Sequence, residues 1–374
     1  MPNYPDIAGN IFLSTYILVV CAVALFFPLA NWDMIAYVAT VLEQNGHGTE
    51  YVHSQAYELV KAQVTPSQFW ALTADRPYRI HQYANGEAFN SMLALYRVKL
   101  FYLQAANLFS SFFGPVKGLW LLSAVSAAAV GGLVHWWLYK NKSLSFAPLA
   151  VAVLILAGFG NISRVTTPDL FSAVFLIFGM LLYLKNYEWA ACLSLILACL
   201  ARIDHLAFVC VLLAVHVSLR TESRALLWAA IGGFAAYVWV TISSGHPGWW
   251  PQMWFTHVEY VLTLEGFNPA FSWFVYGKIL VQALVRSVTE GVWPALLLFH
   301  GFILFLMLRK GFVFTRREGQ LMAAIVLTTL VKFFVFPLYE MQFHFAYIVP
   351  FSLVLIGAYG RQAEPIFSSD TVQA

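Results

Sequence analysis

The residues best suited to chemistry in this chain are a few carboxylates and cations that interrupt long apolar runs. Asp33 stands in Asn31-Trp32-Asp33-Met34, where the first apolar run ends. A carboxylate there is partly desolvated and suited to act as a base toward a hydroxyl or amine. Asp also favours helix N-caps, so a cap is the second reading. Asp169, in Thr166-Thr167-Pro168-Asp169, has ordinary helix-start chemistry, with Arg164 close by. Arg202 and Asp204 fall where one apolar run stops and the next begins. Such a pair is costly at membrane depth unless it is paired or faces a cavity, so an ion pair between helix ends and a ligand site both fit.

A set of cations follows the first carboxylate: Arg76, Arg79, Arg97 and Lys99. Arg suits phosphate through its two-pronged guanidinium. Arg97 and Lys99 precede Leu100-Phe101-Tyr102-Leu103-Gln104, an amphipathic stretch suited to a bilayer interface. Snorkelling to lipid headgroups is the alternative role. Lys332 lies deep in a late apolar run and needs a partner or a wet cavity. His246, Trp249, Trp250, Trp254, His257 and Glu259 gather in one loop, and His344 lies in another. The aromatics there suit a sugar face or an interfacial belt. His257 and Glu259 are a weak metal pair, and no metal or other cofactor is expected. There is no Gly-rich phosphate loop, no His-Glu-x-x-His and no Gly-x-Ser-x-Gly elbow.

The surrounding elements are those of an all-α membrane protein. Of 374 residues, 60% are hydrophobic and only 10% charged, against about 25% charged in a soluble domain. The 13 Trp and 18 Tyr suit a protein with much interfacial surface. A net charge of +3 gives no case for nucleic acid. Cys21, Cys192, Cys199 and Cys210 lie inside apolar runs, and no disulfide or metal site is expected of them. The run Ile11 to Leu29 has no Lys or Arg before it and reads as an uncleaved helix.

The apolar runs predict about ten transmembrane helices, at about 10–30, 116–138, 145–161, 168–184, 188–201, 205–219, 225–243, 291–308, 319–337 and 345–360. One membrane domain covers 1–361, followed by a cytoplasmic tail at 362–374. A first large loop spans 31–114, with amphipathic stretches around 34–45 and 88–113. A second spans 244–287, with an amphipathic stretch at 271–287. Lys140/Lys142, Arg220/Arg224, Arg309/Lys310 and Arg316/Arg317 fall on one side, which the positive-inside rule makes cytoplasmic. Both chain ends share that side. The opposite side holds the two large loops and nearly all the His, Asp and Glu, so the chemistry belongs there. No internal repeat and no matched broken helices are visible, which weakens a secondary-transporter reading.

In order and sidedness these features resemble the GT-C superfamily of integral membrane glycosyltransferases, which includes protein O-mannosyltransferases and lipid A aminoarabinose transferases. The family's acidic motif after the first helix is similar to Asp33-Met34-Ile35-Ala36-Tyr37, with Met34 where an acidic residue is frequent. Its interfacial element is similar to Lys99-Leu100-Phe101-Tyr102, without the prolines. Thr167-Pro168-Asp169, Arg202-Ile203-Asp204 and Tyr347-Ile348-Val349-Pro350 resemble three later elements, so the resemblance covers nearly the whole chain. It implies transfer of a sugar from a polyprenyl-phosphate donor to an acceptor glycan, lipid or protein at the extracytoplasmic face of a bacterial inner membrane. Asp33 would be the catalytic base. Arg97, Lys99, Arg202 and Lys332 would hold the donor phosphate. Asp169, Asp204, Arg164, His257, Glu259 and His344 would orient those cations or contact sugar. Some members of the superfamily use a divalent metal, which nothing in this sequence indicates. The alternatives are a surface-polysaccharide polymerase or ligase, and a transporter or flippase of lipid-linked glycans.

Overall fold

The computed structural model describes residues 4–368, without the side chains of 363–368. The described residues are helical throughout, with no strand among them. The end of the expected tail, 369–374, lies outside the described residues.

The chain opens with α1 (Tyr4–Phe26). Six helices follow before the next long apolar one: α2 (Trp32–Gln44), α3 (Thr49–Lys61), α4 (Pro66–Thr73), α5 (Pro77–Ala84), α6 (Gly86–Arg97) and α7 (Leu100–Phe113). The first loop is thus a helical module rather than two amphipathic stretches. The stretch expected at 88–113 breaks at Val98 and Lys99. Then come α8 (Pro115–Lys140), α9 (Ala147–Leu156), α10 (Phe159–Ile162), α11 (Pro168–Leu184), α12 (Glu188–Ala201), α13 (Leu206–Ser218) and α14 (Arg224–Ser243). The remainder is α15 (Trp249–His257), α16 (Trp273–Thr289), α17 (Trp293–Arg309), α18 (Arg316–Val335) and α19 (Phe345–Ser368).

Four of these helices, α1, α8, α14 and α18, are long and apolar enough to cross a membrane. A fifth crossing is added if α16 and α17, bent by 68°, are taken together. The apolar helices α9, α11, α12 and α13 are shorter; α12 has 14 residues and so measures about 21 Å. Boundaries differ from expectation at both chain ends and at two places within: α1 begins at Tyr4 instead of about residue 10, and α19 runs on to Ser368, into the expected tail, instead of ending at about 360. The first helix ends at Phe26 instead of about residue 30, because Leu29 N–H bonds to Arg164 O (2.9 Å) and draws the link out of helical register. The third apolar run is cut by Gly158, at φ +73, a left-handed conformation that ends α9 at little cost for glycine.

There are two main cores. The larger joins α1, α8, α9, α11 to α14, α18 and α19. The second belongs to the first-loop module, from Trp32 on α2 to Tyr102 on α7, and extends into α8 through Val116, Leu119 and Leu122. Gly114 (φ +78) turns the chain between α7 and α8. A Cβ on Gly118 would lie 2.7 Å from the Ser110 backbone nitrogen, so this hairpin needs glycine to close.

Polar contacts tie the helix ends at both poles. At one pole Arg361 bonds Glu318 (2.6 Å) and Asn141 (3.1 Å), Arg317 pairs with Glu188, and Asp6 accepts from Ser145 N–H (3.1 Å). At the other, Arg164 donates to Phe27 O (2.6 Å), and the starts of α11 and α13 meet the end of α18.

Candidate functional site

Asp33 occupies the first turn of α2, directly after the link from α1. Asn31, the residue at the helix cap, makes no side-chain cap bond. Its amide instead donates to Asp33 Oδ2 (3.3 Å) and accepts from Thr166 Oγ1 (3.0 Å). This ties the first carboxylate to the loop before α11. Asp33 Oδ1 accepts a 2.7 Å bond from the Tyr96 hydroxyl. Tyr37 packs edge-on against both Tyr96 (5.1 Å) and Tyr102 (5.0 Å), so three tyrosines from α2, α6 and α7 wall the carboxylate. Burial first, then the Asp33 carboxylate, pushes the Tyr96 hydroxyl well above its usual value and keeps it a donor.

Lys99 caps the start of α7. Its ammonium donates to Leu95 O and sits 5.5 Å from the centre of the Tyr96 ring. No carboxylate among the described residues comes within ion-pair distance of it. Burial, and then the charge on Arg202, lower Lys99 from 10.5 to about 8, while Asp33 and Asp204 pull it back up. Lys99, Asp33, Arg202 and Asp204 therefore share one electrostatic neighbourhood.

The remaining charges form an alternating chain. Arg202 pairs with Asp169 and with Asp204 (Nε to Oδ1, 2.9 Å; Nη2 to Oδ2, 3.1 Å). Asp204 Oδ2 also meets Lys332 Nζ at 2.7 Å. This links α11, the α12–α13 turn and α18. Asp169 is deeply buried, whereas the Asp204 side chain keeps 32% of its exposure between the two cations. His205 Nε2 lies 3.0 Å from Ser172 Oγ, and Nδ1 lies 3.1 Å from the Tyr347 hydroxyl. Because Ser172 donates to Asp169 O (3.0 Å), the network assigns the ring proton to Nε2, with Tyr347 donating to Nδ1.

His344 is buried and stacks on Trp293 at 4.2 Å. Its Nε2 faces Leu338 O (3.1 Å), so that nitrogen carries the proton. Nδ1 is then a buried acceptor without a partner among the described residues. Burial, then Lys332, lowers His344 to about 3, and the ring stays neutral.

Several of the expected site residues have other partners in the structure. Arg97, expected at a donor phosphate, is engaged by Glu43 with bonds of 2.8 and 2.7 Å, and Asn90 adds another at 2.8 Å. Its guanidinium fork staples α6 to α2 instead. Glu259 is exposed just past α15. His257 packs on Phe336 at 5.4 Å, and burial followed by Arg286 lowers it to about 4. No group of three His, Cys, Asp or Glu side chains that could hold a metal occurs among the described residues. Arg164 is spent on the α1 link. Arg202 and Lys332 are present at the cluster, but as members of ion pairs rather than as free cations. Tyr96, Glu43 and Asn31 were missed. The signal for Tyr96 was there, since Phe89, Met92, Leu93 and Tyr96 follow helical spacing toward α2.

The second loop closes this side of the molecule. Leu264 inserts into the module core, its N–H bonds Ser91 Oγ (2.9 Å), and Tyr260 stacks on Tyr78 at 5.1 Å. A cavity of about 340 Å³ adjoins the α1 link, lined by Phe27, Pro28, Ala30, Gln63, Gln68 and Trp120 among others. No charged residue lines it.

No protein-family model matches the chain, and no curated protein or solved structure matches it.

Proposed function

We propose that the chain is a polytopic membrane glycosyltransferase whose site faces the extracytoplasmic leaflet. In this reading α1, α8, α9 with α10, α11, α12, α13, α14, α17, α18 and α19 make ten crossings, with both chain ends cytoplasmic. The contacts at the two poles support it, because each successive apolar helix runs from one set to the other. The short helices α12 and α13 then sink Arg202 and Asp204 below the headgroups. About 21 Å of helix falls short of a hydrocarbon layer about 30 Å thick.

The observation that carries the chemistry is that Asp33 and Lys99 meet the same residue, Tyr96: the carboxylate accepts from its hydroxyl and the ammonium lies 5.5 Å from its ring centre. One is a carboxylate held by a tyrosine hydroxyl; the other is an ammonium with no carboxylate partner among the described residues. A sugar phosphodiester with its polyprenyl tail in the lipid would set its phosphate against Lys99. The flank of Arg202 and Lys332 would add positive potential. Asp33 would take the proton from an acceptor hydroxyl, and the acceptor oxygen would bond to the anomeric carbon. The bond from that carbon to the phosphate oxygen would break, its electron pair leaving with the lipid phosphate. The base and the phosphate must lie on opposite sides of that carbon, so the configuration inverts.

The test supplies purified protein in lipid with a radiolabelled polyprenyl-phosphate sugar and membrane acceptors. Asp33→Asn is expected to lose about 10²–10⁴-fold in transfer while the protein stays folded. Equal transfer by the variant removes Asp33 as the base, and no transfer by the wild type with any such donor removes the activity.

A further inference from the structure

Helix α16 divides into three faces. At about 100° per residue, Trp273, Phe274, Val281, Leu284, Val285 and Val288 share one sector, and all are exposed, Trp273 to 77% and Val288 to 70%. The next sector carries the exposed Lys278, Gln282, Arg286 and Thr289. The third buries Ile279, Ala283 and Ser287. A helix in water would not keep six large apolar side chains uncovered along one strip. A crossing helix facing lipid would not place a lysine, a glutamine and an arginine beside that strip. Apolar and polar strips side by side suit a helix lying where acyl chains meet headgroups.

Its setting agrees. Helix α17 alone, with 17 residues, measures about 26 Å and nearly spans a hydrocarbon layer. The 68° bend then turns α16 toward the membrane plane. Trp249, Phe271 and Trp273 cluster about the start of α16, as aromatics do at interfaces. Lys278 has no ion pair among the described residues and lies 5.2 Å from the Phe274 ring centre, at the border of the apolar strip. An ammonium there reaches lipid phosphates while its stem stays in the apolar layer.

We propose that α16 is an in-plane anchor. Its partner is the headgroup–acyl boundary of the leaflet at the charged-cluster pole, and it sets the depth of that cluster in the bilayer. The coupling is direct. From α16 the Tyr276 hydroxyl donates to Phe334 O and Arg286 donates to the Tyr339 hydroxyl, and from the adjoining α15 Trp249 Nε1 donates to Val335 O (2.6 Å). Those acceptors belong to the end of α18, which carries Lys332, and to the link leading to His344. The anchor rests on the proposed reading of α17 as a membrane crossing, but it does not depend on sugar transfer.

Nitroxide labels test it in the full chain, in bilayers of phosphatidylcholine and phosphatidylglycerol. Val281→Cys, Leu284→Cys, Val288→Cys and Gln282→Cys are made with the four native cysteines replaced by alanine. Collision with oxygen and with a water-soluble nickel chelate reads the depth. The first three labels are expected about 5–10 Å below the headgroups, and the Gln282 label at headgroup level. Four equally aqueous labels would overturn the anchor, as would a Gln282 label as deep as the rest. Labels at 281, 284 and 288 shielded from both reagents would also overturn it, in favour of a second protein surface. All four labelled positions are exposed, so the labels leave the core untouched, and thermal unfolding of the cysteine-free parent checks the replacement of the buried Cys192 and Cys199.

Discussion

Tyr96 and Lys99 decide how Asp33 and a phosphate would meet. Removing the Tyr96 hydroxyl by Tyr96→Phe takes away a 2.7 Å bond to the carboxylate without emptying the ring's packing. Such a bond to a charged group contributes about 1.5–3 kcal/mol. Transfer should therefore fall about tenfold or more, with the protein still folded. Unchanged transfer would mean that the bond plays no part in the reaction. Lys99 gives a pH dependence. Its ammonium, lowered to about 8 by burial and then by Arg202, is charged below that pH and neutral above it. Affinity for polyprenyl phosphate should therefore fall as pH rises through and beyond 8, and Lys99→Arg should flatten that fall because guanidinium stays charged. Titration of binding between pH 6 and 10 measures both.

At the scale of elements, the close hairpin of α7 and α8 positions Lys99. Gly118→Val would force carbon against the Ser110 backbone, at a cost of about 1–3 kcal/mol. Thermal unfolding in detergent should show the drop, and a variant as stable as the wild type would mean that the two helices separate freely. Arg202→Ala has a larger cost, because it leaves Asp169 buried without its cation. Losses of about 3–5 kcal/mol are usual for such a break. Most helices were legible because long apolar runs end at charged or Pro/Gly stops: α11 at Pro168 and Lys185, α13 at Arg220. The link after α1 and the break at Gly158 were read through, because Pro28 and Gly158 sit singly within apolar runs, and it is the fold that holds Leu29 to Arg164 O and Gly158 in a left-handed conformation. The module of α2 to α7 was also hidden. Its short helices bury their faces against each other and against Leu264, some 160 residues further along, and periodicity within one stretch cannot reveal that. The same holds for Arg97. Its sequence neighbourhood suits phosphate, but Glu43 and Asn90 reach it only through the fold.

The whole molecule gathers its unlike charges at one pole and ties the other pole with structural pairs such as Arg361–Glu318 and Arg317–Glu188. If ten helices cross, cysteines placed in 258–270 should react with an impermeant reagent from outside the cell, and cysteines near Arg220 only after the membrane is opened. The reverse pattern would invert the proposed sidedness. The account depends most on a lipid phosphate resting against Lys99 beside Asp33, with Arg97 taking no part. Binding of a polyprenyl phosphate without sugar, to wild type, Lys99→Gln and Arg97→Gln in nanodiscs, measures this directly. Lys99→Gln is predicted to weaken binding about tenfold or more, as loss of a charge-assisted bond of about 1.5–3 kcal/mol requires, while Arg97→Gln leaves it unchanged. Full binding by Lys99→Gln, or a loss in Arg97→Gln alone, would contradict the account.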